Sequence, residues 1–195
     1  MRRPIGRRAS AFRSWYRVGR LPYLRAPLFV HWPVLVALGF IALYALQQPI
    51  YAGLAAASYL AVLLVHETGH ALVARGLGYD VLALRISIIH GKCECEHPDS
   101  QWHDVLIAWG GVTAQIAVAA PVIGIAAFVN ADRPGYYGPV ETILGYYSLL
   151  VAIFNLIPAP GFDGYTAWRV VPVLFARVRV RSQVRKMLGK ASRRR

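Results

Sequence analysis

Four long apolar stretches constrain this chain more than any other feature of its sequence. They cover residues 28–47, 51–73, 105–129 and 136–157, and each reaches the roughly 20 residues that a helix needs to cross a bilayer. Backbone polar groups find no water at that depth, so such stretches form helices. The sequence therefore predicts a mainly α fold, a polytopic membrane helix bundle of about four spans.

The basic residues flank this apolar middle. The chain has 22 Lys and Arg against 9 Asp and Glu, yet only Arg75, Arg85, Lys92 and Arg133 lie between residues 28 and 164. Four spans with both ends inside leave Arg133 as the single basic residue in the outer loops, as the positive-inside rule requires. We expect an integral membrane protein with both termini cytoplasmic.

A high positive charge can also indicate a nucleic-acid partner, but such proteins carry basic residues on a folded face among aromatics. Here the charge lies at the ends, where it attracts anionic lipid head groups. We predict the lipid bilayer as a partner and no nucleic acid. The predicted domains are a basic cytoplasmic segment over residues 1–27, a membrane-embedded domain over residues 28–176 and a basic cytoplasmic tail over residues 177–195. No cleavable signal peptide is evident, so the first apolar stretch is expected to remain as a span.

The second apolar stretch contains a charged motif, His-Glu-x-x-His, at His66, Glu67 and His70. An ionisable group at membrane depth costs at least about 2.5 kcal/mol on insertion scales, so it needs a reason to be there. Histidines four residues apart share one helix face and can bind one ion, while the glutamate acts on a water. Zinc lowers the pKa of such a water toward about 7. The motif predicts one catalytic Zn²⁺ and Glu67 as general base.

A catalytic zinc site needs a third protein ligand, and the segment over residues 155–164, NLIPAPGFDG, offers one. It ends the fourth apolar stretch on the inner side, at the depth of His66, and its prolines and glycines break regular structure. Asp163 is the predicted third ligand, although it could also cap the start of a helix. Asn155 either hydrogen-bonds the broken helix or supports the substrate.

The two motifs together resemble the site-2 protease family of intramembrane zinc metalloproteases. Its patterns are His-Glu-x-x-His, often with glycine at the position of Gly69, and Asn-x-x-Pro-x-x-x-x-Asp-Gly, which residues 155–164 match without a gap. Gly110 and Gly111 keep part of a family Gly-Gly-Pro pattern, but Val112 replaces the proline. The resemblance covers about residues 28–168.

The resemblance implies that one zinc ion is bound by His66, His70 and Asp163 and that Glu67 is the catalytic base. It further implies cleavage of membrane-embedded protein or peptide substrates in regulated intramembrane proteolysis, in a prokaryotic plasma membrane. No PDZ or CBS domain fits in 195 residues, so a compact form is expected. Two alternatives stay open: a non-catalytic membrane binding protein of the same fold, or a metal or proton transporter that uses the His/Glu cluster.

Residues 81–89 alternate in hydrophobicity, with Leu82, Leu84, Ile86 and Ile88 on one face. A period of two predicts a strand, here a small β element on the cytoplasmic side beside the site. It is either a plain membrane-surface strand or an edge that captures extended substrate.

A second group of metal-ligating side chains lies in residues 90–103. A cytoplasmic placement disfavours a stable disulfide there, and Cys-x-Cys is narrower than the usual zinc spacing. The segment is therefore either a solvated loop or a second metal or redox site. Its members are His90, Cys93, Cys95, His97 and His103. Asp80 and Asp104 are the next candidates for a zinc ligand after Asp163.

Overall fold

The computed structural model describes residues 14–44, 47–88, 91–129 and 137–192. The fold is mainly helical with one small sheet, which confirms the predicted fold class in outline. Its elements in chain order are β1 (Trp15–Leu21), β2 (Ala26–His31), α1 (Trp32–Tyr44), α2 (Pro49–Gly76), β3 (Val81–Ile86), β4 (Lys92–Cys95), α3 (Gln101–Val129), α4 (Gly138–Val140), a π-helix (Glu141–Tyr147), α5 (Ser148–Asn155), α6 (Gly164–Ala167) and α7 (Val170–Ser192).

Two helices, α2 and α3, are long and apolar enough to cross a membrane. They contain the second and third predicted spans and pack against each other at a pair of glycines. A Cβ on Gly110 would lie 2.7 Å from the carbonyl oxygen of Gly69, and a Cβ on Gly69 would overlap the carbonyl oxygen of Gly110. Because neither glycine has a side chain, the two backbones approach closely, as at small-residue crossings in membranes.

The first predicted span is wrong at its start. Residues 28–31 belong to β2, and α1 has only 13 residues, or about 20 Å at 1.5 Å per residue. The apolar side chains of Leu28 and Val30 are partly buried by protein, because they pack against the buried cluster of Val34, Leu63 and Ile86. Hydropathy alone could not separate this strand from the helix that follows it. Strand β2 and helix α7 also run across the predicted domain boundaries at residues 27/28 and 176/177.

The fourth predicted span is helical without a break from Gly138 to Asn155, through α4, the π-helix and α5. Within the π-helix, Gly145 is buried against α3, where a Cβ would lie 2.9 Å from the side chain of Ile123. The helix therefore packs on α3 and ends at the segment that carries Asp163.

The four strands form one sheet in the order β1-β2-β3-β4. The pairs β1–β2 and β3–β4 are antiparallel, and β2–β3 is parallel. The strand predicted over residues 81–89 is confirmed over Val81–Ile86, but its interpretation as a docking edge is wrong, because β3 is paired on both sides. The unexpected neighbour of β3 is β2, which forms a hairpin with β1. The sequence predicted a tail for the first part of this hairpin and a span for the second. Among the described strands, β1 and β4 are the edges.

Strand β3 runs back along α2 toward the middle of that helix. The amide of Tyr79 donates to the carbonyl of Ala74 at 3.0 Å, and the hydroxyl of Tyr59 donates to the carbonyl of Ile88. These two attachments lie about 22 Å apart along the helix axis, and the motif on α2 lies between them. The sheet is therefore beside the candidate site rather than beyond the end of the helix.

Candidate metal centre and active site

The motif on α2 faces the interior. His66, Glu67 and His70 are 6%, 2% and 6% exposed, because α3 crosses α2 at the neighbouring Gly69. The two imidazole rings stand nearly perpendicular, with ring centroids 4.7 Å apart. The helical spacing thus brings both rings to one point, as predicted.

Asp163 reaches the same point from a closed loop. The indole N–H of Trp168 donates to the carbonyl of Leu156 at 2.7 Å, and that of Trp109 donates to the carbonyl of Ala167 at 3.2 Å. Gly161 has φ +97, a conformation that favours glycine. These constraints turn the chain after α5 and hold Asp163 against α2.

Three donor atoms converge at this point. The Nε2 atom of His66 lies 2.9 Å from Oδ2 of Asp163, the Nε2 atom of His70 lies 3.2 Å from the same oxygen, and the two Nε2 atoms are 3.1 Å apart. A tetrahedral zinc ion with bonds of about 2.0–2.1 Å holds its ligand atoms roughly 3.3 Å apart. Two imidazoles and one carboxylate at these separations fit such an ion, and these residues form a group that could hold a metal.

The orientation of the Asp163 side chain decides between the two predicted roles, helix cap and metal ligand. Asp163 is the N-cap residue of the short helix α6 but makes no side-chain capping bond. Its carboxylate is directed at the two histidines instead.

Each imidazole has a second partner at its other nitrogen. The Nδ1 atom of His70 lies 2.6 Å from the backbone carbonyl of Ile107, and the Nδ1 atom of His66 lies 3.0 Å from Oε1 of Gln115. An acceptor at Nδ1 places the proton there and leaves the Nε2 lone pair for a metal. Sequence reasoning missed Gln115, although a polar residue in an apolar span was a signal that could have found it.

Two glycines also border the site: Gly111, noted in the sequence only as part of a Gly-Gly pattern, and Gly91, which sequence reasoning missed. A Cβ on Gly111 would lie 2.5 Å from Nε2 of His70 and 2.7 Å from Cε1 of His66, so only glycine leaves the imidazoles in place. Gly91 lies directly against the carboxylate of Glu67, where a Cβ would overlap Oε1. The other carboxylate oxygen, Oε2, is buried without a hydrogen-bond partner among the described residues.

The site opens into a cavity of about 680 Å³. Glu67 and the three metal-ligating candidates line it together with Asn155, which is 7% exposed. A second cavity of about 10 Å³, roughly the room that one water needs, is bounded by His66, Glu67 and Asn155. Other parts of the large cavity wall come from the sheet, the start of α3 and the loop before α6, among them Trp15, Arg85, Lys92, Asp104, Ile107 and Phe162.

The second group of metal-ligating residues does not converge. Across the described ranges the one cluster of three or more such side chains that could hold a metal is the group of His66, His70 and Asp163. The Nδ1 atom of His103 lies 2.7 Å from the hydroxyl oxygen of Tyr79 and is hydrogen-bonded to it. Burial raises the pKa of the Cys93 thiol to about 12, so it is protonated at neutral pH. His90 lies outside the described residues. Of the other ligand candidates, Asp80 lies apart and pairs with Arg75, whereas Asp104 lines the large cavity.

No family model matches the chain. Its sequence is similar to the candidate zinc metalloprotease sll0528 of Synechocystis sp., with 27% identity over 112 residues, and to the candidate zinc metalloprotease Rip3 of Mycobacterium tuberculosis, with 31% identity over 110 residues. The matches cover 53% and 54% of this chain, and the chain spans about a quarter of each relative, 27% in both cases.

The fold is similar to that of the site-2 protease from Methanocaldococcus jannaschii. The TM-score is 0.63 at 19% sequence identity, and the match covers 80% of this chain and 71% of the other. At that sequence identity the structural similarity establishes the fold alone. The chain thus has the fold of a site-2 protease and zinc metalloproteases as its sequence relatives, which confirms the family resemblance predicted from its two motifs.

Proposed function

We propose that this protein is a zinc-dependent endopeptidase that cleaves membrane-embedded protein substrates. The observation that carries the proposal is the convergence of His66, His70 and Asp163 within 3.2 Å of one another, with Glu67 beside them on the same cavity. Two imidazoles, one carboxylate and an adjacent glutamate are the groups that metal-assisted peptide hydrolysis needs.

The chemistry divides between the metal and the chain. Zinc bound by His66, His70 and Asp163 would supply a Lewis acid that polarises a carbonyl and lowers the pKa of water toward about 7. Glu67 takes the proton from the water that attacks the peptide carbonyl and passes it to the leaving amine as the C–N bond breaks. Its buried Oε2, which has no partner among the described residues, supports this role because that oxygen can accept the proton.

Asn155 is assigned to the substrate side of the reaction. It lies on both cavities beside Glu67, at the end of α5 where the chain leaves the helix. An amide there can donate to the carbonyl under attack, where negative charge develops. We therefore propose Asn155 as a support for the substrate and the transition state.

The two apolar helices and the fold support a placement in the membrane. We propose four spans, formed by α1, α2, α3 and the helical segment from Gly138 to Asn155, in a prokaryotic plasma membrane with both termini cytoplasmic. The placement of positive charge at the ends of the chain supports this orientation. Helix α1 is shorter than a usual span, and local thinning of the bilayer accommodates such a helix at modest cost.

The substrate would dock on β4 rather than on β3. Strand β4 is an edge of the described sheet, and its residues Lys92 and Cys93 line the cavity that holds the metal site. An extended peptide paired with this edge through main-chain hydrogen bonds, as in strand addition, would lie close to Gly91, which contacts the carboxylate of Glu67.

The deciding test is a Glu67→Gln variant, which keeps the size of the side chain but cannot take the water's proton. Single-turnover cleavage of a membrane-embedded peptide should fall about 10²- to 10⁴-fold, with zinc content unchanged in the same preparation. The variant should accumulate as a complex with substrate. Cleavage within threefold of the wild type would refute the proposed mechanism, and altered ion flux in proteoliposomes without loss of proteolysis would favour a transporter.

A further inference from the structure

Gln115 is a polar residue buried deep between α2 and α3. Its side chain is fully buried, at 0% exposure, in a helix that is otherwise long and apolar. Its Nε2 atom has no hydrogen-bond partner among the described residues, although a buried amide donor left unpaired is unfavourable. Its Oε1 atom has one partner, Nδ1 of His66 at 3.0 Å. Burial of Gln115 thus costs free energy, and its one described hydrogen bond is to a metal-ligating candidate.

The two histidines are held by different kinds of partner. The Nδ1 atom of His70 faces the backbone carbonyl of Ile107, which can only accept, so the proton on Nδ1 of His70 is set by the main chain. The Nδ1 atom of His66 faces a side-chain amide, which can accept through oxygen or donate through nitrogen. His66 therefore depends on the identity and orientation of one side chain.

The orientation of that amide decides which nitrogen of His66 bears the proton. With Oε1 toward the ring, Nδ1 donates and Nε2 presents its lone pair to the point where His70 and Asp163 converge. With the amide reversed, Nε2 would carry the proton and could not bind a metal. The structure shows the first arrangement, with Nε2 of His66 directed at Asp163.

We propose that Gln115 is the positioning residue of the metal centre: through Oε1 it holds His66 in the tautomer and ring orientation that bind zinc. The inference rests on the proposed zinc site. Outer partners of metal-bound histidines typically account for 10–100-fold in metal affinity or activity, so the loss of this acceptor should be measurable without any substrate.

Three substitutions separate positioning from simple filling of space. Gln115→Met keeps the length of the side chain and removes the acceptor, so zinc affinity should fall about 10- to 100-fold. Gln115→Glu keeps an acceptor at the same reach and should stay within about threefold of the wild type. Gln115→Asn keeps the amide but withdraws it by one methylene, so its zinc affinity should fall with that of Gln115→Met. A filling role predicts the opposite order, because methionine suits an apolar helix contact better than a carboxyl group does.

The measurement is zinc affinity of the full-length protein in detergent, by competition with a chromogenic chelator, with thermal unfolding of the zinc-free protein recorded for each variant. Co²⁺ absorption serves as a spectroscopic readout of the ligand geometry. Gln183→Met is the matched control, since Gln183 is exposed on α7, and it should leave zinc affinity unchanged.

Retention of zinc affinity in Gln115→Met, or a greater loss in Gln115→Glu than in Gln115→Met, would overturn the inference. Should Gln115→Met fail to fold, the comparison of Gln115→Glu with Gln115→Asn decides by the same criterion. Failure of the proposed function looks different: the wild-type protein would then bind no zinc, whatever occupies position 115.

Discussion

The indole N–H of Trp168 donates to the backbone carbonyl of Leu156 at 2.7 Å, and this bond closes the loop that carries Asp163. The backbone at Gly164 lies so near Leu156 that a Cβ would overlap the Leu156 carbonyl. The bond thus joins two residues that are twelve positions apart in the chain. The site depends on this closure because Asp163 is the member of the His66, His70 and Asp163 cluster that lies outside α2.

The first prediction follows from that bond. Trp168→Phe keeps an aromatic ring beside Trp109, whose ring centroid is 6.2 Å away, but removes the donor. One lost hydrogen bond is worth about 0.5–1.5 kcal/mol, so we expect zinc affinity to fall roughly two- to tenfold through a looser loop. Chelator competition measures it. Unchanged affinity would mean that the loop is held by its other contacts, and Trp102→Phe, whose ring contacts the Arg177 guanidinium instead of this loop, is the control.

The second prediction concerns Asp163 as a ligand. Asp163→Ala leaves two imidazoles, which make an incomplete zinc site, so zinc affinity should fall by more than about 100-fold, beyond the range of outer-partner changes. Asp80→Ala is the matched control, because Asp80 pairs with Arg75 away from the cluster. Zinc stoichiometry and affinity like those of the wild type in Asp163→Ala would move the third ligand elsewhere, with Asp104, which lines the same cavity, next to test.

The third prediction concerns Gly111. An added methyl group at this position meets Nε2 of His70 at 2.5 Å, so Gly111→Ala should displace the imidazoles and lower both zinc content and cleavage. Gly53→Ala is the matched helical control, since nothing lies within 4 Å of its added Cβ. That change should leave zinc bound and stabilise the helix by about 0.5–1 kcal/mol. Equal zinc content in the two variants would contradict this prediction, because it would show that the histidines accommodate a methyl group at position 111.

The fourth prediction concerns the proposed docking edge. Proline removes a backbone donor, so a proline scan over β4 (Lys92–Cys95) should give two classes of variant. Positions whose N–H points away from β3 should lose cleavage while zinc remains bound, and positions whose N–H pairs with β3 should lose stability. Cleavage and zinc content are measured for each variant. Wild-type cleavage at every outward position would exclude strand addition at this edge.

The local parts of this protein could be predicted from its sequence. Helix α2 and the shared face of His66 and His70 follow from a spacing of four residues, and a helix returns the same face at that spacing whatever surrounds it. Asp163 could be predicted to lie at the depth of His66, because the order of the apolar stretches sets the side of the membrane on which each one ends. Strand β3 was evident from its period of two. For the helix and the strand, the signal and the structure lie within one short segment.

What only the tertiary structure decided depends on contacts between distant segments. Strand β3 pairs with β2, whose apolar residues looked like the start of a span because hydropathy records apolar character without saying whether lipid or protein covers it. Gln115 and Gly111 stand more than 40 positions from His66 in the chain, and no periodicity connects them. Their roles appear only when α2 and α3 cross at Gly69 and Gly110, because the distance between two helix backbones is set by packing and not by the sequence of either helix alone.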